Sequence, residues 1–105
     1  MINFHANVQW TSGHALLTLY GELDEQSGST VEQIIQDICE DDPQRLFVDL
    51  SEVQQIHGHV LGVLAAATSR LRQTGCPVVF INPSFEAREQ MVAHGVADLL
   101  DLDSA

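Results

Sequence analysis

Between Arg45 and Asn82 the chain changes its hydrophobic period twice. Arg45-Leu46-Phe47-Val48-Asp49-Leu50 is a short apolar run rich in strand formers. A longer stretch of helical character follows from about His59 to Thr74, with Gly75 as its stop. Cys76 to Asn82 is again short and apolar, with Pro77 near its start, where a missing N–H is least damaging. Strand, helix and strand in that order make a crossover unit. Its strands lie parallel, because a tight turn can join only antiparallel neighbours. Right-handed crossovers then place consecutive helices on the same side of the sheet.

The flanking segments extend this unit. Ile2, Phe4, Ala6, Val8 and Trp10 alternate with polar residues, which predicts a strand with one buried and one wet face and leaves His5 on the wet one. Thr11-Ser12-Gly13 supplies a turn, and Ala15 to Tyr20 reads as the second arm of a hairpin. Val31, Ile34, Ile35 and Ile38 mark one face of a helix over 29–40, with Ser29-Thr30-Val31-Glu32 as its capping box and Glu40-Asp41-Asp42-Pro43 as its end. Pro83-Ser84 opens a last helix over 84–94, with Phe85, Met91 and Val92 as expected core positions. Val96 to Leu102 forms a short terminal element of unassigned type. The order β-β-α-β-α-β-α predicts one α/β domain over residues 1–105, a mixed β-sheet with helices packed on one side.

Charge removes several function classes. Fifteen acids face four basic residues, all arginine, for a net charge of −11. Such a chain lacks the cations that nucleic-acid binding or an anionic membrane surface requires. The apolar run from Val60 to Ala67 is too short to span a bilayer. No basic segment precedes an apolar run at the N-terminus, so no secretory signal is expected. Two cysteines, Cys39 and Cys76, are too few for a disulfide framework and read as free thiols. These readings together point to the cytoplasm.

Four motifs in order carry a resemblance. Gly21-Glu22-Leu23-Asp24 resembles the G-E-L-D motif of STAS domains, the fold of anti-sigma-factor antagonists and of sulphate-transporter domains. Val48-Asp49-Leu50-Ser51 resembles the strand before that family's signature, and Ile56 to Leu64 resembles the signature itself, an apolar residue followed by D-S-S-G-L-G-V-L. Gly75 with Pro77-Val78-Val79-Phe80, and Asn82-Pro83-Ser84, match in spacing. The resemblance implies a STAS-like sheet and a non-enzymatic module that binds a kinase-like anti-sigma factor or regulatory ATPase. In the family a serine or threonine of the signature is phosphorylated, and the added charge releases the partner. Here His57 stands where the family has Asp, Gly58 where it has the acceptor, His59 at the next small residue and Val60 at the glycine. Glycine offers no hydroxyl, so no phosphorylation is expected at the signature.

The expected partner-binding residues are therefore Asp24, His57, Gly58, His59, Val60 and Val63, with Val60, Val63 and Ala67 read either as an apolar stripe or as core. Asp24 reads either as a contact or as a turn acid that caps nearby N–H groups. No catalytic set, cofactor or metal is expected: there is no lysine, no phosphate loop, and two imidazoles alone leave a zinc ion half-coordinated. Alternatives are a subunit of a transporter or signalling scaffold, and a small-ligand or metal sensor built on His57 and His59. A homodimer is a further admissible assembly.

Overall fold

Ser12 and Gly13 both adopt positive φ, 52° and 82°. That is the backbone of a two-residue turn whose twist matches the strands it joins. It closes a hairpin between β1 (Phe4–Thr11) and β2 (His14–Leu23), paired antiparallel from Thr11 opposite His14 to Phe4 opposite Gly21. The computed structural model describes residues 4–99. After β2 come α1 (Glu25–Glu40), β3 (Arg45–Ile56), α2 (Gly58–Gln73), β4 (Val78–Ile81), α3 (Phe85–Ala93) and a 3-10 turn, Ala97–Leu99. The sheet order is β1-β2-β3-β4, with β2, β3 and β4 mutually parallel. This is the mixed sheet the sequence pattern predicts, and what the pattern expected beyond Leu99 lies outside the described residues.

One face of the sheet holds the core. Ala15, Leu17 and Leu19 of β2, Leu46, Val48 and Leu50 of β3, and Val78 and Phe80 of β4 are buried at alternate positions. They form one cluster with Val31 and Ile35 of α1, Leu61 and Leu64 of α2, and Met91 of α3. Each large side chain fully removed from water stabilises the fold by about 1.5–3 kcal/mol before entropy is counted. The residues between them, such as Leu16, Phe47 and Val79, point to the opposite face and stay half-buried.

Several expectations are corrected. On β1 only Phe4 and Ala6 reach the core, while Val8 and Trp10 are 39% and 46% exposed at the uncovered end of this edge strand. β3 does not end at Leu50. Its pairing with β2 slips near Thr18–Tyr20 and again near Gly21–Glu22, which breaks the period of two yet returns Val53 and Ile56 to the core. In α3 the buried face is Ala87 and Met91, four residues apart, so Phe85 and Val92 turn outward.

The cysteines are not free. Cys39, at the end of α1, and Cys76, just before β4, are joined as a disulfide with Cα atoms 5.8 Å apart, inside the usual range. Thirty-seven positions separate them in sequence. Only the parallel crossover brings the start of β4 beside the end of α1. In the chain-entropy account, closing a loop of that length stabilises the fold by about 4 kcal/mol.

Candidate partner-binding site

β2 and β3 are parallel neighbours that end level, Leu23 opposite Ile56. The helices that leave them therefore start side by side. His57 N donates to Leu23 O at 3.0 Å and ties the two starts together. This is how residues 21–24 and 56–64, distant in sequence, come to share one end of the domain.

α1 begins at Asp24, earlier than the Ser29-Thr30 reading. Ser27 N donates to Asp24 Oδ1 at 2.9 Å, and Asp24 N donates to Ser27 Oγ at 2.8 Å, a reciprocal capping box. Asp24 is thus the cap that the local reading of a turn acid describes. The Ser27 backbone N–H, then the Ser27 hydroxyl, hold the carboxyl below its ordinary value; Gln26 N–H and His57 act in the same direction, and lost hydration opposes them. The Asp24-x-x-Ser27 spacing was the available signal, hidden because Ser29 and Thr30 compete for the same role.

α2 starts directly after β3. His57 alone lies between them, because β3 runs on past Leu50 to Ile56. His57 is the N-cap without a side-chain capping bond, and its carbonyl accepts from Val60 N at 2.9 Å. The two helices touch closely at Gly28: a Cβ there would stand 2.8 Å from Val60 Cγ1. Val60 is accordingly buried at 2%, as is Ala67, and of the expected apolar stripe only Val63, 37% exposed, faces solvent. Val60 serves as packing and as the inner wall of a cleft of about 210 Å³, which Glu25, Gly28, Ser29, His59 and Val63 complete.

Charged groups ring this end. His57 Nε2 lies 3.7 Å from Glu22, and His59 Nε2 lies 3.7 Å from Glu25. A third histidine arrives from α3. Ser84 Oγ donates to Val53 O at 2.6 Å and Ser84 N donates to Leu50 O at 3.1 Å, which pins the start of α3 on β3. His94, the C-cap of α3, then lies against Gly58: a Cβ built on Gly58 would collide with Nε2 and Cε1 of the His94 ring. In the sequence His94 closes the helix expected over 84–94, and nothing local links positions 58 and 94. Among the described residues no three His, Cys, Asp or Glu side chains gather into a group that could hold a metal ion. No helix among them is long and apolar enough to cross a membrane.

Comparison with solved structures returns the same architecture. An anti-sigma factor antagonist from Mycobacterium paratuberculosis superposes with a TM-score of 0.79 at 23% identity, covering 96% of this chain and 89% of that one. The unphosphorylated form of the anti-sigma factor antagonist SpoIIAA superposes with a TM-score of 0.73 at 15% identity, over 93% of this chain and 85% of that one. For a protein described as a putative anti-sigma factor antagonist from Thermotoga maritima the TM-score is 0.77 at 14% identity, over 91% and 83%. Comparison with the curated proteins finds no match. The sequence model of the STAS domain matches residues 5–105, nearly the whole chain, and the chain belongs to that family.

Proposed function

We propose that this chain is a non-enzymatic interaction module that docks a kinase-like anti-sigma factor, or a related regulatory ATPase of a signalling complex, without a phosphoswitch at the signature. Family membership and the antagonist-like fold support the general kind of function. The docking surface we assign is the end where α1 and α2 begin: His57 and His59, the exposed Val63, and the Gly58 backbone, with Asp24 fixing the start of α1. The observation that carries the absence of a switch is the glycine at position 58, which begins α2 and has no side chain. Solved relatives include SpoIIAA in unphosphorylated and phosphorylated forms. At position 58 this chain has no hydroxyl, and the space a side chain there would enter already holds the His94 ring. Phosphoryl transfer needs a hydroxyl in line with the γ-phosphate.

The proposal places the protein in the cytoplasm. Reducing conditions there keep cysteines as thiols, so stability in that compartment rests on the core rather than on the Cys39–Cys76 bond.

The test is titration of the purified chain against the kinase-like anti-sigma factors of the same genome, with and without ATP, followed by mass mapping. Val63→Asp with His59→Glu is the comparison variant; both residues are exposed, and Asp24 is left intact because it caps α1. The expected result is binding that ATP does not alter, a loss of at least about tenfold in the variant, and no phosphate on residues 51–60. Unaltered affinity of the variant, or stoichiometric phosphate in that segment, overturns the proposal.

A further inference from the structure

The helices cover one face of the sheet, and register fixes what the other face presents. Leu16, Phe47 and Val79 are consecutive pairing partners across β2, β3 and β4 and form a middle row. Two residues toward the N-terminal ends of these parallel strands lie His14 and Arg45; two residues the other way lie Thr18, Asp49 and Ile81. His14 stacks on Phe47 with ring centroids 6.0 Å apart, and the Arg45 guanidinium sits 6.0 Å from the same ring. An apolar row is thus bordered by a cation on one side and, on the other, by Asp49, the one acid among these eight residues. One carboxylate oxygen of Asp49 accepts from Ser51 N at 2.8 Å, leaving the second free.

This pattern is self-complementary. A two-fold axis in the plane of the interface, running along the middle row, reverses the strand direction and lays the face on a second copy of itself. Leu16, Phe47 and Val79 then meet their own equivalents. Arg45 meets Asp49 of the partner subunit, and the symmetry makes that contact twice. His14 Nδ1, buried and without a hydrogen-bond partner among the described residues, comes opposite Thr18 of the partner subunit. Stacked sheets lie about 10 Å apart, a gap an arginine side chain can bridge. We propose that this face is the surface on which two copies of the chain associate. A chain of net charge −11 repels itself over most of its surface; here the facing acid meets a cation and the middle of the contact is apolar. β4 limits the overlap of the three strands to its four residues, so the contact is a small one. The expected assembly is a reversible dimer that leaves the α1/α2 end free.

Sedimentation equilibrium of the full chain over about a hundredfold range of concentration tests this. The expected result is a shift from monomer to dimer mass, with association weakened at least about tenfold by Arg45→Glu, which sets two acids face to face. Arg45→Glu combined with Asp49→Arg restores the pairing with its sign reversed and is expected to recover the dimer. Arg45 is exposed, so circular dichroism of Arg45→Glu should match the parent. If the double variant does not fold, Phe47→Ser replaces it; it removes the centre of the apolar row without changing the charge and is expected to weaken association at least about tenfold. A monomer at every concentration, or a dimer indifferent to Arg45→Glu or to Phe47→Ser, overturns the proposal.

Discussion

The His94 imidazole lies against Gly58 where any side chain at position 58 would project. A residue at a helix end and a residue at a helix start, 36 positions apart, therefore constrain each other's size. Gly58→Ser alone must turn the exposed His94 ring aside and is expected to destabilise the fold by less than about 1 kcal/mol. His94→Ala alone, at an exposed position, is expected to change stability by less than about 0.5 kcal/mol. In the double variant the cost of the serine falls, and chemical denaturation of all four proteins gives the coupling directly. Additive effects would show that the ring moves aside freely.

Asp24 gives a pH signature. Its carboxyl in the folded chain lies below the ordinary value of 3.8, chiefly through the Ser27 N–H. A depressed carboxylate contributes stability that is fully present above its unfolded value and is lost as pH falls through the folded one. Melting temperatures of the parent and of Asp24→Ala are expected to differ at neutral pH, with the variant lower, and to converge below the ordinary carboxylate range. A gap that stays constant to acid pH would assign the effect of Asp24 to something other than its charge.

Thr68 is fully buried in α2, and its hydroxyl has no hydrogen-bond partner among the described residues. A buried hydroxyl left unpaired costs about 1–3 kcal/mol. Thr68→Val keeps the shape and removes the oxygen, so it is expected to raise stability by roughly 1 kcal/mol. Urea denaturation measures this; a fall in midpoint would mean that the hydroxyl has a partner in solution.

The disulfide makes stability depend on redox conditions. With reductant, or in Cys39→Ser/Cys76→Ser, the fold is expected to lose up to about 4 kcal/mol while keeping its secondary structure. Far-UV circular dichroism with thermal melts checks both halves of that statement. Thiol labelling that finds both cysteines free without reductant would remove the bond from the native protein.

What could be read from the sequence followed the range of the forces involved. The hairpin and the crossover unit were legible because periods of two and of 3.6 are local. So was the buried face of α1, carried by Val31, Ile35 and Ile38. The start of α1 was misplaced because two capping patterns, at Asp24 and at Ser29, lie within five residues and sequence does not rank them. The end of β3 was misplaced because two register slips break the alternation past Leu50, so that Val53 and Ile56 return to the core at a spacing of three. The disulfide and the His94–Gly58 contact depend on which elements the fold sets side by side, and no local pattern announces either. At the candidate site, motif spacing pointed to His57, His59 and Val63, which are exposed, while Val60 was readable either as stripe or as core and its contact with Gly28 makes it core.

The single residue between β3 and α2 has a mechanical consequence. With no slack at His57, the rotational phase of α2 is geared to the pleat of the sheet: Ile56 points into the core, and Val60, Leu61 and Leu64 follow at fixed angles around the helix. One residue added at this junction would turn α2 by about 100° and swing its apolar side off the core. The helix start that bears the candidate site is aimed by the strand before it, as a rigid shaft is aimed by its bearing.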